Sequence, residues 1–163
     1  MFSDELMTTA RLLLADCEER RLRIVTAESC TGGLLAALLT EIPGSSAVVE
    51  RGFVTYSNRA KQEMLGVPGD LIADMGAVSE PVARAMAEGA LRESHAHIAV
   101  AITGVAGPGG GTALKPVGLV HIAAARENRS ILHEACRFGE VGRAQVRMQS
   151  VEKALDLLRR LVE

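Results

Sequence analysis

Ser29 and Lys61 have the types and surroundings that hydrolytic chemistry needs. Ser29 lies in Arg23-Ile24-Val25-Thr26-Ala27-Glu28-Ser29-Cys30-Thr31-Gly32-Gly33, where a short apolar strand runs into a polar turn. The apolar run Leu34 to Leu39 follows and reads as a helix. Such a unit sets a side chain at the carboxyl edge of a sheet and aims free N–H groups at whatever binds there. That position suits a nucleophile and the oxyanion it creates. The same serine could instead be an N-cap accepting a backbone N–H. The turn does not match G-x-S-x-G, so its likeness to a nucleophile elbow is geometric only.

A serine nucleophile needs a base. His95 and His97 lie near the end of a long helix, where a cationic side chain suits the helix dipole. His121 falls inside a strand and His133 in the next. All four read as structural, and singly scattered they make no metal site. Lys61 is the better base. It follows the strand ending Tyr56-Ser57-Asn58, on a short helix with apolar neighbours. A lysine at its ordinary pKa is neutral only about once in 2,500 molecules at pH 7. Burial disfavours its charged form, and a neutral amine could then take the serine proton. The plain alternative is a solvated surface lysine. Cys30 is a rival nucleophile beside a helix start that would lower a thiol pKa. Adjacent side chains at a turn diverge, so one of the two faces the site; a small buried thiol is the simpler role for Cys30.

A second signal is the loop Thr103-Gly104-Val105-Ala106-Gly107-Pro108-Gly109-Gly110-Gly111-Thr112. Glycines let backbone N–H groups approach an anion and form a concave nest. The loop lacks the G-K-[ST] ending of a P-loop and leads to a strand, so alone it also fits a flexible connection. Lys115 and Arg143 could add positive charge there, or simply be solvated.

The elements that must hold these residues follow from pattern. Ser3 caps a first helix, with Asp4 and Glu5 in its first turn; the charged stretch Glu18 to Arg21 ends it. Arg23 to Thr26 is a buried strand, and a helix runs from about Gly32 to Glu41, stopped by Pro43-Gly44. Ala47 to Tyr56 is β-rich. Asn58 opens the helix carrying Lys61 and Met64, broken at Pro68-Gly69. Ser79 and Pro81 start another, with Val82, Met86, Ala90 and Leu91 as its apolar stripe. Ile98 to Ile102 is a buried strand, Val117 to Ala124 and Ile131 to Phe138 are two more, and a helix from about Arg143 to Leu161 closes the chain. Mixed strands and helices predict an α/β sandwich; there are too few βα units for an eightfold barrel.

The chain has 163 residues, enough for one domain with a sizeable core, and 1–163 is expected to be a single domain. Aromatics are 2%, with no Trp and one Tyr, which argues against stacking platforms for single-stranded nucleic acid. A net charge of -2 likewise argues against a nucleic-acid footprint. No apolar run reaches the roughly 20 residues of a membrane span, and the acidic N-terminus does not read as a secretory signal. Three cysteines without framework spacing fit a reducing cytoplasm.

Read together, the blocks resemble one family. Thr26-Ala27-Glu28-Ser29-Cys30-Thr31-Gly32-Gly33, Arg51-Gly52-Phe53-Val54-Thr55-Tyr56-Ser57-Asn58 with Lys61, Gly76-Ala77-Val78-Ser79, Gly104 to Pro108, and Lys115-Pro116-Val117-Gly118 resemble the CinA C-terminal domain family, also known as the PncC nicotinamide mononucleotide deamidases. They fall in family order across nearly the whole chain, and the resemblance implies an α/β fold that is a compact three-layer α/β/α sandwich with a mixed sheet. The resemblance implies hydrolysis of the carboxamide of nicotinamide mononucleotide to nicotinate mononucleotide and ammonia, a step of pyridine nucleotide salvage. It implies a serine–lysine amidohydrolase and matches Ser29 and Lys61 to the dyad, with Tyr56 counted among the catalytic residues. Asn58 and Thr103 match polar positions around the site. On the substrate side it implies Cys30, Thr31, Gly32 and Gly33 at the turn, Gly104 and Gly107 in the loop, and Arg143 for the phosphate. It implies no metal, no cofactor and self-association into a homo-oligomer. The domain is expected to stand alone, without the larger N-terminal domain some relatives carry. Two departures stand out: many relatives have Asp where this chain has Gly109, and many have Gly-Asp-Arg where it reads Val141-Gly142-Arg143.

Two functions remain on these grounds. In the first, Lys61 deprotonates Ser29, N–H groups near Cys30 and Thr31 receive the oxyanion, and water cleaves the acyl-enzyme. In the second, the same pocket belongs to a nucleotide-binding or regulatory module without turnover.

Overall fold

Side-chain alternation along one short strand decides which residues reach which face. The computed structural model describes residues 1–163. In it β1 (Ile24–Glu28) is buried throughout. Ile24 faces one apolar cluster, while Val25 and Ala27 face another. With the period of two, Ser29 continues the Val25 and Ala27 row, and Glu28 the Ile24 row.

Around β1 lie α1 (Asp4–Glu19), α2 (Leu34–Glu41), β2 (Val49–Val54), α3 (Asn58–Leu65), α4 (Gly69–Met75), α5 (Glu80–Arg92), β3 (Ile98–Gly104), β4 (Leu119–Arg126), β5 (Leu132–Arg137) and α6 (Arg143–Val162). The strand order is β2-β1-β3-β4-β5. β1 is parallel to both β2 and β3, and the remaining pairs are antiparallel. One face is covered by α1, α2 and α6 through leucine-rich contacts with Ile98, Val100 and Ile102. The other is covered by α3, α4 and α5, where Ala83, Ala87 and Ala90 meet Ala99, Ala101 and Ala123. This is the three-layer α/β/α sandwich with a mixed sheet that the resemblance implies.

The chain steps from β1 to β2 on one side and later to β3 on the other. Ligands bind outside the carboxyl ends of strands at such a switch point. Register brings the right residues there. Glu28 pairs with Val54 and Ile102, and the ladder continues one step, Thr55 N–H to Glu28 O and Ser29 N–H to Ile102 O. Ser29, Thr55 and Thr103 therefore stand side by side at the sheet edge.

Several boundaries move from expectation. The helix after Ser29 starts at Leu34, because Gly33 at φ 99° still belongs to the turn. The Ile98 strand runs on to Gly104, so Thr103 and Gly104 are strand end, not loop. The strand placed at Val117 to Ala124 is Leu119–Arg126. Pro68-Gly69 does not stop the Lys61 helix; Gly66 does, in a left-handed cap, and Pro68 caps the next helix, α4.

Candidate active site

The turn after β1 is held from both ends. The Glu28 carboxylate, buried beneath it, accepts from Leu35 N (2.9 Å) and Ala36 N (3.1 Å), satisfying two orphan donors of α2. From α6, Arg147 donates Nε to Cys30 O (3.1 Å) and a terminal nitrogen to Thr31 O (3.0 Å). Neither Cys30 N–H nor Thr31 N–H has a protein acceptor. Cys30 lines the cleft that opens over Ser29 and Lys61, whereas Thr31 is fully buried.

Lys61 comes from α3. Its N-terminus is set by Ser57, whose hydroxyl accepts Ala60 N–H at 3.0 Å. Lys61 and Leu65, one turn apart, are the buried face of this helix. Lys61 is only 1% exposed. Its Nζ lies 3.0 Å from Ser29 Oγ, 2.9 Å from Thr55 O and 3.3 Å from Tyr56 O. It makes no salt bridge. Burial pushes its pKa down. A neutral amine can give its two hydrogens to the two carbonyls and turn its lone pair to the serine hydroxyl. An ammonium can donate to all three oxygens, with Ser29 Oγ donating to Tyr56 O at 3.4 Å. One heavy-atom arrangement thus serves both ends of a proton transfer.

Cys30 turns the other way, into the cluster of α1, α2 and α6. Burial lifts its thiol to about 11, with Arg147 pulling more weakly downward. A thiol so placed stays protonated near neutral pH, and of the two side chains it is Ser29 that lies beside Lys61.

A cleft of about 320 Å³ opens over Ser29 and Lys61, near the lower bound for small-molecule sites. Asn58, Ala77, Val78 and Thr103 form part of its wall, and Gly104, Gly107, Gly109 and Gly110 another. Thr103 Oγ donates to Ala77 O at 2.9 Å, tying β3 to the segment before α5. The N–H groups of Ala106, Gly107, Gly109 and Gly110 have no protein acceptor. Arg143, at the start of α6, donates to Gly107 O at 2.9 Å and to the Tyr56 hydroxyl at 3.0 Å. A cation beside free N–H groups is a place for a phosphate.

The predicted residues do not all contribute in the same way. Ser29, Lys61, Tyr56, Cys30, Asn58, Thr103, Gly104, Gly107 and Arg143 meet at the cleft. Thr31, Gly32 and Gly33 do not line it and shape the turn from behind. Tyr56 is 61% exposed, and what it brings to Lys61 is its carbonyl. Lys115 is elsewhere, donating to Met75 O at the end of α4. No histidine lines the cleft: His97 Nδ1 accepts Arg23 N–H, and His121 stacks on His133. No group of three or more His, Cys, Asp or Glu is arranged to hold a metal. Sequence reading missed Glu28 and Arg147. A carboxylate next to the nucleophile and an arginine four residues after Arg143 were visible, but nothing in the string tied either to the turn.

A family model described as the CinA C-terminal domain matches residues 7–162. The chain is 57% identical over 141 residues to a CinA-like protein of Mycobacterium sp. (strain JLS), covering 86% of this chain and 33% of that one. It is 51% identical over 148 residues to a CinA-like protein of Anaeromyxobacter sp. (strain K), covering 91% and 36%. The chain spans about a third of the length of the curated relatives it matches. Among solved structures, the competence/damage inducible protein CihA from Agrobacterium tumefaciens superposes with a TM-score of 0.98 at 51% identity, covering 100% of this chain and 99% of that one. A CinA superfamily protein from Klebsiella pneumoniae gives 0.90 at 34% identity, covering 96% and 97%.

Proposed function

The chain belongs to the CinA C-terminal domain family, and from that footing we propose that residues 1–163 form one amidohydrolase domain that deamidates nicotinamide mononucleotide. The single observation that carries the reading is Lys61 Nζ, buried without a carboxylate and 3.0 Å from Ser29 Oγ.

Neutral Lys61 takes the Ser29 proton as Oγ attacks the carboxamide carbon. The carbonyl oxygen gains the charge, and the free N–H at Cys30 receives it; one such donor is worth about 3 kcal/mol in an acyl transfer. Protonated Lys61 then gives its proton to the amide nitrogen, the C–N bond breaks and ammonia leaves. The product is an ester of nicotinate mononucleotide on Ser29. Lys61, neutral again, deprotonates a water that attacks the ester, and the carboxylate product departs with the Ser29 hydroxyl restored. The loop N–H groups and Arg143 hold the 5′-phosphate, and Thr103 and Asn58 flank the nucleotide. Every step uses groups of this chain.

Self-association and a cytoplasmic setting go with this proposal. No helix is long and apolar enough to cross a membrane.

The test is ammonia release from nicotinamide mononucleotide by the purified protein, with Ser29→Ala as control, beside a calorimetric binding measurement. Turnover lost in Ser29→Ala is expected. Binding without ammonia release in the wild type would replace this reading with a nucleotide-binding module.

A further inference from the structure

A second cavity shares a wall with the catalytic cleft. It measures about 580 Å³ against about 320 Å³ for the cleft, and Val78 lines both. Its floor is the face of the sheet that α5 covers. Ala123 of β4 packs in the α5 cluster, and the period of two puts His121 and Leu119 on the same side. Leu119 stands directly opposite Arg137 of β5. Val78 and Pro81 flank the start of α5 above this floor. Met75 and Leu114 also line the cavity, yet are 45% and 86% exposed.

The charge of the cavity is one-sided. Lys115 and Arg137 both line it, and neither has a carboxylate within ion-pair distance. Lys115 Nζ donates to Met75 O and rests against Gly76, where a Cβ would collide with it. An ammonium has three hydrogens, so donors remain. The wall has one carboxylate, Glu80, and it is taken by Arg84 at 2.8 Å and faces His133 at 3.4 Å. His121 Nδ1 meets His133 Nε2 at 2.9 Å and the two rings stack, which fixes the His121 ring. Burial, and then His133, push the His121 pKa down, so it offers a flat ring in place of a charge.

These walls select a ligand by its chemistry. The fork of an arginine fits a carboxylate through two parallel hydrogen bonds, with a lysine as a point charge beside it. The apolar share of the lining gives a bare inorganic anion nothing to bind. A flat aromatic body covers it, contacts the Met75 thioether and takes exposed apolar surface out of water. We propose that this cavity binds a small aromatic carboxylate, with Lys115 and Arg137 holding the anion and Leu119 and His121 facing the ring, at a site separate from Ser29 and Lys61.

The experiment titrates the isotopically labelled protein with naphthoate and follows its assigned backbone amides by NMR. The amides of Leu114, Leu119 and His121 should shift together and saturate, with a dissociation constant of about 1 mM for a ligand of this size. Those of Gly107 and Gly109, which line the catalytic cleft and not this cavity, should not follow that curve. Naphthamide, the same body without the charge, should bind at least ~10-fold more weakly. Inorganic phosphate, the charge without the body, should also lose at least ~10-fold. Arg137→Gln and Lys115→Gln should each weaken naphthoate by about 10-fold, in spectra that otherwise match the wild type. Shifts confined to the cleft, or no saturating shift at all, would overturn the site. So would naphthamide or phosphate binding as tightly as naphthoate, or full affinity kept in both variants. No readout involves ammonia release, so the deamidase reading stands or falls separately.

Discussion

At the scale of single residues, Lys61 carries the largest conflict between stability and chemistry. An apolar residue of similar length would fill its place without burying an amine. Lys61→Met should therefore be more stable than the wild type, by about 1 kcal/mol or more, a rise of about 2–4 °C in a thermal melt. It should lose turnover by at least ~1,000-fold. A melt that drops instead would mean that the amine supports the fold. The pH dependence has a definite sign. Burial lowers the folded pKa of Lys61 below the ordinary lysine value. Between the folded and unfolded pKa the unfolded chain holds the extra proton, so stability rises with pH through that window, and Lys61→Met should flatten the rise. The neutral amine is the base, so log(kcat/KM) should climb with a slope of one through the folded pKa and level off above it. A rate flat in pH across that region would remove Lys61 as base. Cys30 makes the complementary case. Its thiol, at about 11, should resist iodoacetamide at pH 8, read by peptide mass; rapid alkylation would contradict the burial that excludes it as nucleophile.

At the scale of elements, the dyad is a matter of how α3 and the turn are seated. Gly89 on α5 faces Leu65 O at the end of α3, so closely that a Cβ there would collide with that carbonyl. The same carbonyl accepts from Arg92 at 2.8 Å. Gly89→Ala should push α3 off α5, cost about 1–3 kcal/mol in urea unfolding and lower kcat by moving Lys61. An Ala variant with unchanged stability and rate would mean that the two helices part without effect. Glu28→Ala strands Leu35 N–H and Ala36 N–H at the start of α2, and about 2 kcal/mol should be lost. Much of this layer was legible beforehand. Ser3 and Ser79 are capping residues by type, and the strand before Lys61's helix reads from the β-rich run Ala47 to Tyr56. What was hidden depended on contacts distant in sequence. Pro68-Gly69 looks the same as a helix stop or a helix start, and only the cap at Gly66 decides it. Glu28 and Arg147 act through bonds to backbone seven and more than a hundred residues away, which no local pattern records.

At the scale of the whole molecule, the site is made by topology. Strands β1, β2 and β3 run parallel and end together, so Ser29, the Thr55 and Tyr56 carbonyls, and Thr103 converge from three separate parts of the chain. The sequence suggested an α/β sandwich but not the order β2-β1-β3-β4-β5, which requires knowing which strand lies between which. The serine, the lysine and the divergence of Cys30 from Ser29 could be read from residue type and local surroundings; that Cys30 packs into the cluster of α1, α2 and α6 needed the fold. Self-association can be read at this scale too: sedimentation equilibrium should return a multiple of 17.2 kDa, and a monomer would withdraw that part of the proposal. The central claim is that Ser29, activated by Lys61, becomes acylated by the nucleotide. Turnover of nicotinamide mononucleotide quenched in acid and analysed by peptide mass should reveal the nicotinate mononucleotide ester on Ser29 in the wild type and none in Lys61→Met. Ammonia release that continues in Lys61→Met, or proceeds in the wild type with Ser29 never modified, would contradict the account.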